Sequence, residues 1–236
     1  MARAIARGLE AAGYPVDLCP VADGGEGTLQ VLCDALGGQP QSARVSDPLG
    51  RPVEAGFALV EEGRGRIGAI VETAAAIGLP RLAPDELDPV GASSAGAGQL
   101  IMAAVRAGAK LVYVAVGGSA TTDGGTGAIR AIRQAGGLDG ARMVVLCDVR
   151  TPFEEAARLF GPQKGAGPED VRRLTQRLQR LARGFERDPR GRLMTGAAGG
   201  LSGGLWAAFG AELVPGAAWV LDRLDFDPRM RAARAL

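Results

Sequence analysis

Residues 111–116 read Leu-Val-Tyr-Val-Ala-Val and run without a spacer into Gly117-Gly118. A strand that is apolar on both of its alternating faces has to be covered on both sides. A glycine pair at its carboxyl end with a helix behind it is the junction of a strand–loop–helix unit. Met143 to Cys147 repeats the apolar run and ends at Asp148. These two segments set the fold class as α/β. In open sheets of this class ligands bind beyond the carboxyl ends of the strands, so the loops after these runs are where chemistry is sought first.

The remaining elements follow from periodicity and punctuation. Residues 2–12 read as an amphipathic helix with Ile5 and Leu9 on one face, and Val16 to Pro20 as a short strand. A helix after Thr28 carries Leu29, Leu32 and Leu36 at helical spacing and stops at Gly37-Gly38. Segments near 42–46, 52–60 and 66–72 have strand character, with Pro-Leu-Gly and Gly-Arg-Gly turns between them. Short connections of that kind favour an antiparallel meander. A short helix ending at Gly78, a proline-bearing loop (Pro80, Pro84, Pro89) and a small-residue helix over 92–107 precede the 111–116 strand. Helices are predicted to about 135, over 152–160, over 168–184 as a solvated surface helix with Leu174, Leu178 and Leu181 on one stripe, over 205–209, and in the last 20 residues before a ragged end.

Composition removes several function classes. Basic and acidic residues balance, 27 against 26, leaving no footprint for nucleic acid or an anionic membrane. No apolar run approaches the ~20 residues of a membrane span, and the N-terminus lacks a signal-peptide pattern, so the default location is cytoplasmic. The three cysteines, Cys19, Cys33 and Cys147, suggest neither a disulfide framework nor a metal site. There is no histidine, which excludes histidine-based triads and histidine metal ligation. A general base here is a carboxylate or a lysine of lowered pKa. Asparagine is also absent, and lysine occurs only at 110 and 164; a thermophilic origin and a GC-rich genome explain this bias equally.

Four glycine-bearing loops carry candidate chemistry. Gly117-Gly118-Ser119-Ala120-Thr121-Thr122-Asp123-Gly124 follows a buried strand and opens a helix. Its amides and hydroxyls suit an anion, and Asp123 suits Mg²⁺ or a proton; a plain glycine turn with a helix cap is the competing reading. Asp23-Gly24-Gly25-Glu26 sets two carboxylates before a helix, either as a metal or proton site or as complements to the helix dipole. Lys164, between Gly161-Pro162-Gln163 and Gly165, is a compact point charge suited to phosphate or carboxylate, whereas Lys110 reads as ordinary surface. The run 196–204, with Gly199 and Gly200, is either a phosphate cradle or a close-packing surface. Glu72 and Asp148 stand at strand ends as further candidates.

Taken in order, Pro20–Thr28, Asp47-Pro48-Leu49-Gly50, Val71-Glu72-Thr73-Ala74, Val116–Thr121, Asp123-Gly124-Gly125, Cys147-Asp148-Val149, Phe160–Ala166 and Gly196–Gly200 resemble the bacterial glycerate kinase family. The resemblance spans residues 20 to about 222. It implies transfer of the γ-phosphoryl group of ATP to a hydroxyl of D-glycerate, assisted by Mg²⁺, giving 2-phosphoglycerate or 3-phosphoglycerate. It implies two α/β domains: a Rossmann-like parallel-sheet domain from 1–46 and 196–236, incomplete here, and an inserted mixed α/β domain over 47–195. The residues expected at the site are Asp23, Asp123 and Lys164 for catalysis. Gly24, Gly25, Glu26, Gly117, Gly118, Ser119, Thr121, Thr122, Gly124, Gly199 and Gly200 are expected to bind substrate and phosphate. Asp23, Glu26 and Asp123 are candidates for Mg²⁺, and Glu72, Asp148 and Gln163 for supporting roles. A homodimer is compatible with the resemblance.

The chain also departs from the family pattern. A first strand with a Pro-Asp-Ser-Phe-Lys-Gly-like loop, a strand-and-loop near Gly136-Gly137, and βα units beyond Arg234 are expected to be missing. Thr122 stands where asparagine is common. A catalytically impaired remnant that binds a ligand or partner is therefore the alternative function. A hydroxy-acid dehydrogenase is a weaker rival, since the chain lacks the Gly-x-Gly-x-x-Gly turn with a following acid.

Overall fold

A computed structural model describes residues 2–63 and 65–233. Helix α1 (Ala2–Ala11) is followed by an extended stretch, the Asp23 loop and α2 (Thr28–Leu36). Strands β1 (Gln39–Ser46), β2 (Pro52–Glu61) and β3 (Ile67–Glu72) come next, then α3 (Ala74–Ile77), α4 (Ala95–Arg106), β4 (Leu111–Ala115), α5 (Thr126–Gln134) and β5 (Arg142–Leu146). The chain continues through α6 (Ala156–Phe160), α7 (Pro168–Gly184), α8 (Ala197–Phe209), β6 (Glu212–Val214), α9 (Gly216–Arg223) and α10 (Phe226–Ala232).

The six strands form one sheet in sequence order. β1, β2 and β3 are the expected antiparallel meander, while β3 to β6 are mutually parallel. The α/β class therefore holds. The sheet crosses both boundaries of the expected domain division, because β1 hydrogen-bonds β2 along its whole length and β6 pairs with β5.

Side-chain alternation divides the core into two layers. Ala69, Val71, Val112, Val114, Met143 and Val145 face α4, α5 and α8. Ile70, Tyr113, Val144 and Leu146 face the opposite way, against Leu32 of α2 and Val220 of α9. Each fully buried aliphatic side chain contributes about 1.5–3 kcal/mol, so the double-faced apolar runs both select the strand geometry and stabilise it. On the second face Arg223 stacks over Tyr113 and Trp219 and donates to the Tyr113 hydroxyl at 2.8 Å.

Several local expectations change. Residues 14–20 form no strand; the sheet ends at β6, which pairs with β5. The helix expected at 205–209 begins at Ala197 and carries a left-handed turn at Ala198–Gly200. The C-terminal segment makes two helices, and the ragged end falls partly on 234–236, outside the described residues. Helix α7 is less solvated than its arginines suggest: Leu174, Leu178 and Ala182 are buried with Phe153 in a satellite cluster, and Leu181 is half-buried.

Candidate active site

The four parallel strands end on one edge, at Glu72, Ala115, Leu146 and Val214. The segments that follow them enclose a cleft of about 160 Å³, lined among others by Asp23, Gly24, Gly25, Gly117, Gly118, Ser119, Cys147, Asp148, Gln163, Lys164, Ala197 and Ala198. It lies where an open parallel sheet leaves room for a ligand.

Backbone meets backbone at the cleft floor. Gly24, at φ +91°, lies against the Leu146 carbonyl, and a Cβ on Gly117 would overlap the Cα of Gly25. The N–H groups of Gly117 and Gly118 have no hydrogen-bond acceptor among the described residues. Such free amides in a glycine loop attract anions.

Asp23 is exposed on the loop facing this floor. Its Oδ1 accepts from the Gly25 N–H at 2.8 Å, and its Oδ2 has no partner among the described residues. Glu26 is exposed on the same loop. Asp148 also lines the cleft, with both oxygens accepting from the Ala217 N–H at 3.1 Å, which fastens the start of α9. Glu72 is turned away from the cleft. Its Oε2 accepts from the N–H groups of Gly27 (3.0 Å) and Leu29 (3.1 Å), satisfying the amino end of α2. Burial raises its carboxyl pKa, and the charge of Glu26 adds to the rise.

Asp123 is 5% exposed and does not line the cleft. Its Oδ2 accepts from the Ser94 N–H (2.9 Å), the Ser94 hydroxyl (2.9 Å) and the Gly127 N–H (3.1 Å), and its Oδ1 from the Gly125 N–H (3.0 Å). The carboxylate joins the starts of α4 and α5. Among the described residues no three carboxylates or cysteines gather as a metal site, so Asp23, Glu26 and Asp123 do not form one cage.

Lys164 is 2% exposed and lines the cleft. Its Nζ donates to the Thr121 carbonyl at 2.5 Å and to the Ser119 hydroxyl at 3.3 Å. No carboxylate lies within ion-pair distance of it among the described residues. Burial brings its pKa down to about 7, with the charge of Asp123 opposing the drop. Lys110, by contrast, is exposed and pairs with Asp139. The hydroxyls of Thr121 and Thr122 are fully buried and have no partner among the described residues.

The third glycine cluster serves two purposes. A Cβ on Gly199 would overlap the Thr121 carbonyl, and one on Gly200 or on Gly124 would press on Phe153, so these glycines let two loops touch. Ala197 and Ala198 line the cleft. Ala198 sits at φ 51°, ψ 44°, a left-handed conformation that costs a non-glycine residue roughly 1–2 kcal/mol. Both alanines fall in the run read as a possible phosphate cradle without being singled out, and Ser94, the partner of Asp123, was missed; the Ser-Ser pair before α4 was the available signal. The Asp47 turn is structural: the buried carboxylate accepts from Leu49 N, Arg51 N and Arg51 Nε at 2.9, 2.8 and 2.5 Å. Cys147 is buried in the cleft wall, where burial pushes its thiol up to about 12.

No helix among the described residues is long and apolar enough to cross a membrane. A family model described as "Glycerate kinase family" matches residues 1–136 and 133–236. Over 240 residues the chain is 38% identical to a protein named glycerate kinase from Haemophilus influenzae, covering 87% of this chain and 63% of the relative. It is 36% identical to a glycerate kinase from Bacillus subtilis (96% and 68% covered) and 33% identical to a glycerate 2-kinase from Escherichia coli (88% and 63%). A crystal structure from Salmonella typhimurium LT2, provisionally described as glycerate kinase 2, superposes with a TM-score of 0.84 at 35% identity, covering 98% of this chain and 71% of that one. The chain thus spans about two thirds of the length of the curated relatives it matches. On the family model and these relatives together, the chain belongs to the glycerate kinase family.

Proposed function

We propose that this chain transfers the γ-phosphoryl group of ATP to a hydroxyl of D-glycerate, in the cytoplasm, giving 2-phosphoglycerate or 3-phosphoglycerate. The observation that carries the reading is the cleft itself: free glycine amides, one unencumbered carboxylate and one buried ammonium meet at the carboxyl ends of the parallel strands. Phosphoryl transfer asks chiefly for positioning and charge neutralisation, and these groups supply both.

The nucleotide phosphates lie against the Gly117 and Gly118 amides. The substrate hydroxyl attacks the γ-phosphorus, the bond to the β-phosphate oxygen breaks, and the hydroxyl proton passes to Asp23 Oδ2. Lys164 neutralises charge at the reacting end of the cleft. Asp123 acts through the loop it holds, since four donors already occupy its oxygens.

Magnesium needs only one or two protein carboxylates when phosphate oxygens complete its shell. Glu26, exposed beside Gly118 and without a hydrogen-bond partner among the described residues, fits that requirement and would hold the ion. The ion would neutralise phosphate charge.

The test is ADP release by the purified chain with D-glycerate, ATP and Mg²⁺ against a control without glycerate. Glycerate-dependent release supports the reading. ADP binding without turnover by a folded chain would favour the remnant reading instead.

A further inference from the structure

Between the helical Ala197 and the left-handed Ala198 the backbone makes a right-then-left pair of conformations. Such a pair turns successive N–H groups into one concavity, an anion-binding nest. The flanking amides are used, Gly196 N to the Thr151 carbonyl and Gly200 N to the Gly196 carbonyl. The amides of Ala197, Ala198 and Gly199 have no acceptor among the described residues. Independently of the loop, Lys164 lines the same cleft nine-tenths buried, with a third ammonium proton that has no acceptor and no carboxylate in ion-pair range among the described residues.

We infer that the Ala197–Gly199 nest and Lys164 together bind the carboxylate of the hydroxy-acid substrate, while the Gly117-Gly118 amides take the nucleotide phosphates. The inference rests on the proposed phosphoryl transfer and assigns its acceptor subsite. Charge decides for a carboxylate over a phosphate. Lys164 is the cleft's cation, and the charged groups facing it are Asp23 and Asp148 in the lining and Asp123 behind it. Because those carboxylates already outnumber the one ammonium, a monoanion adds less repulsion than a dianion. A phosphate dianion would leave excess negative charge in a partly dry site beside two carboxylates. The strained alanine is then a means of aiming amides where a side chain would fill the space.

Calorimetric titration tests this with D-glycerate, glycerol and ADP as separate probes on the full chain and on two variants. Lys164→Met keeps the buried volume and removes the charge. Ala198→Val disfavours the left-handed turn. The expected result is that D-glycerate binds and glycerol does not. Lys164→Met should weaken D-glycerate at least ~30-fold, and Ala198→Val about tenfold, with the ADP affinity changed less than threefold in either. D-glycerate binding within threefold of wild type in the folded variants would overturn the subsite and leave the kinase reading intact. So would a loss confined to ADP, which would return the nest to the nucleotide. A wild-type chain that binds ADP but not D-glycerate would overturn the functional reading as well. Circular dichroism of each variant separates lost binding from lost fold, and if only one variant folds, its D-glycerate affinity decides.

Discussion

The tripeptide Asp-Gly-Gly occurs at 23–25 and again at 123–125, each time just ahead of a helix, and the two copies have opposite fates. Asp23 is exposed in the cleft with one oxygen free, and Asp123 is sealed beneath the neighbouring loop with four donors on it. Local sequence is the same, so the difference comes from what packs behind. Ser94, 29 residues away in sequence, arrives at Asp123 with both an amide and a hydroxyl. Behind the first copy stand Leu146, Gly117 and Gly216, none of which donates a hydrogen bond to its carboxylate. One motif thus provides a chemical group in one place and a structural tie in the other.

The largest effect should come from separating these roles by stability. Asp123→Ala orphans three buried donors and one half-buried donor and should cost about 3 kcal/mol or more, whereas Asp23→Ala should stay within about 0.5 kcal/mol. Denaturant midpoints measure both. Equal midpoints would break the comparison.

Activity should invert the order. Asp23→Ala, still folded, is expected to lower kcat/KM at least ~100-fold. A loss of tenfold or less in steady-state assays would move the proton acceptor elsewhere.

Lys164 adds a pH signature to the buried side of the comparison. Its pKa is about 7 in the folded chain and near 10.4 when unfolded. Between these values the unfolded chain holds a proton that the native chain has released, so stability rises with pH across that window, by about 1.4 kcal/mol per unit at most. Lys164→Met should abolish this slope. Melting curves at pH 7, 8 and 9 that stay parallel for both proteins would show that the ammonium is not desolvated.

The smallest effect concerns Ala198. Ala198→Gly relieves the left-handed penalty but loosens the unfolded chain, for a net gain of about 1 kcal/mol or less. A lower melting temperature would mean that the turn is not left-handed in solution.

Much of the scaffold was legible in the sequence because apolar alternation reports burial directly. Val112, Val114, Met143 and Val145 point one way and Tyr113, Val144 and Leu146 the other, as double-faced runs require. Cleft location followed from the glycine pair after β4. Pairing partners were not legible: Val16–Pro20 has strand composition, yet the sheet ends at β6 and this segment joins no strand. The left-handed turn at Ala198 was hidden because alanine gives no local sign of that conformation. Asp123 reads as a chemical group in sequence because its partner lies on another helix.

The contacts between glycines have a consequence for how this protein can change. Where Gly25 meets Gly117 and Gly199 meets Thr121, the support of the cleft is main chain on main chain. Substitution there is graded by size alone, and no side-chain swap at these positions offers an intermediate chemistry. Room for altering the acceptor lies instead in the side chains that do reach the cleft, such as Gln163 or Val149.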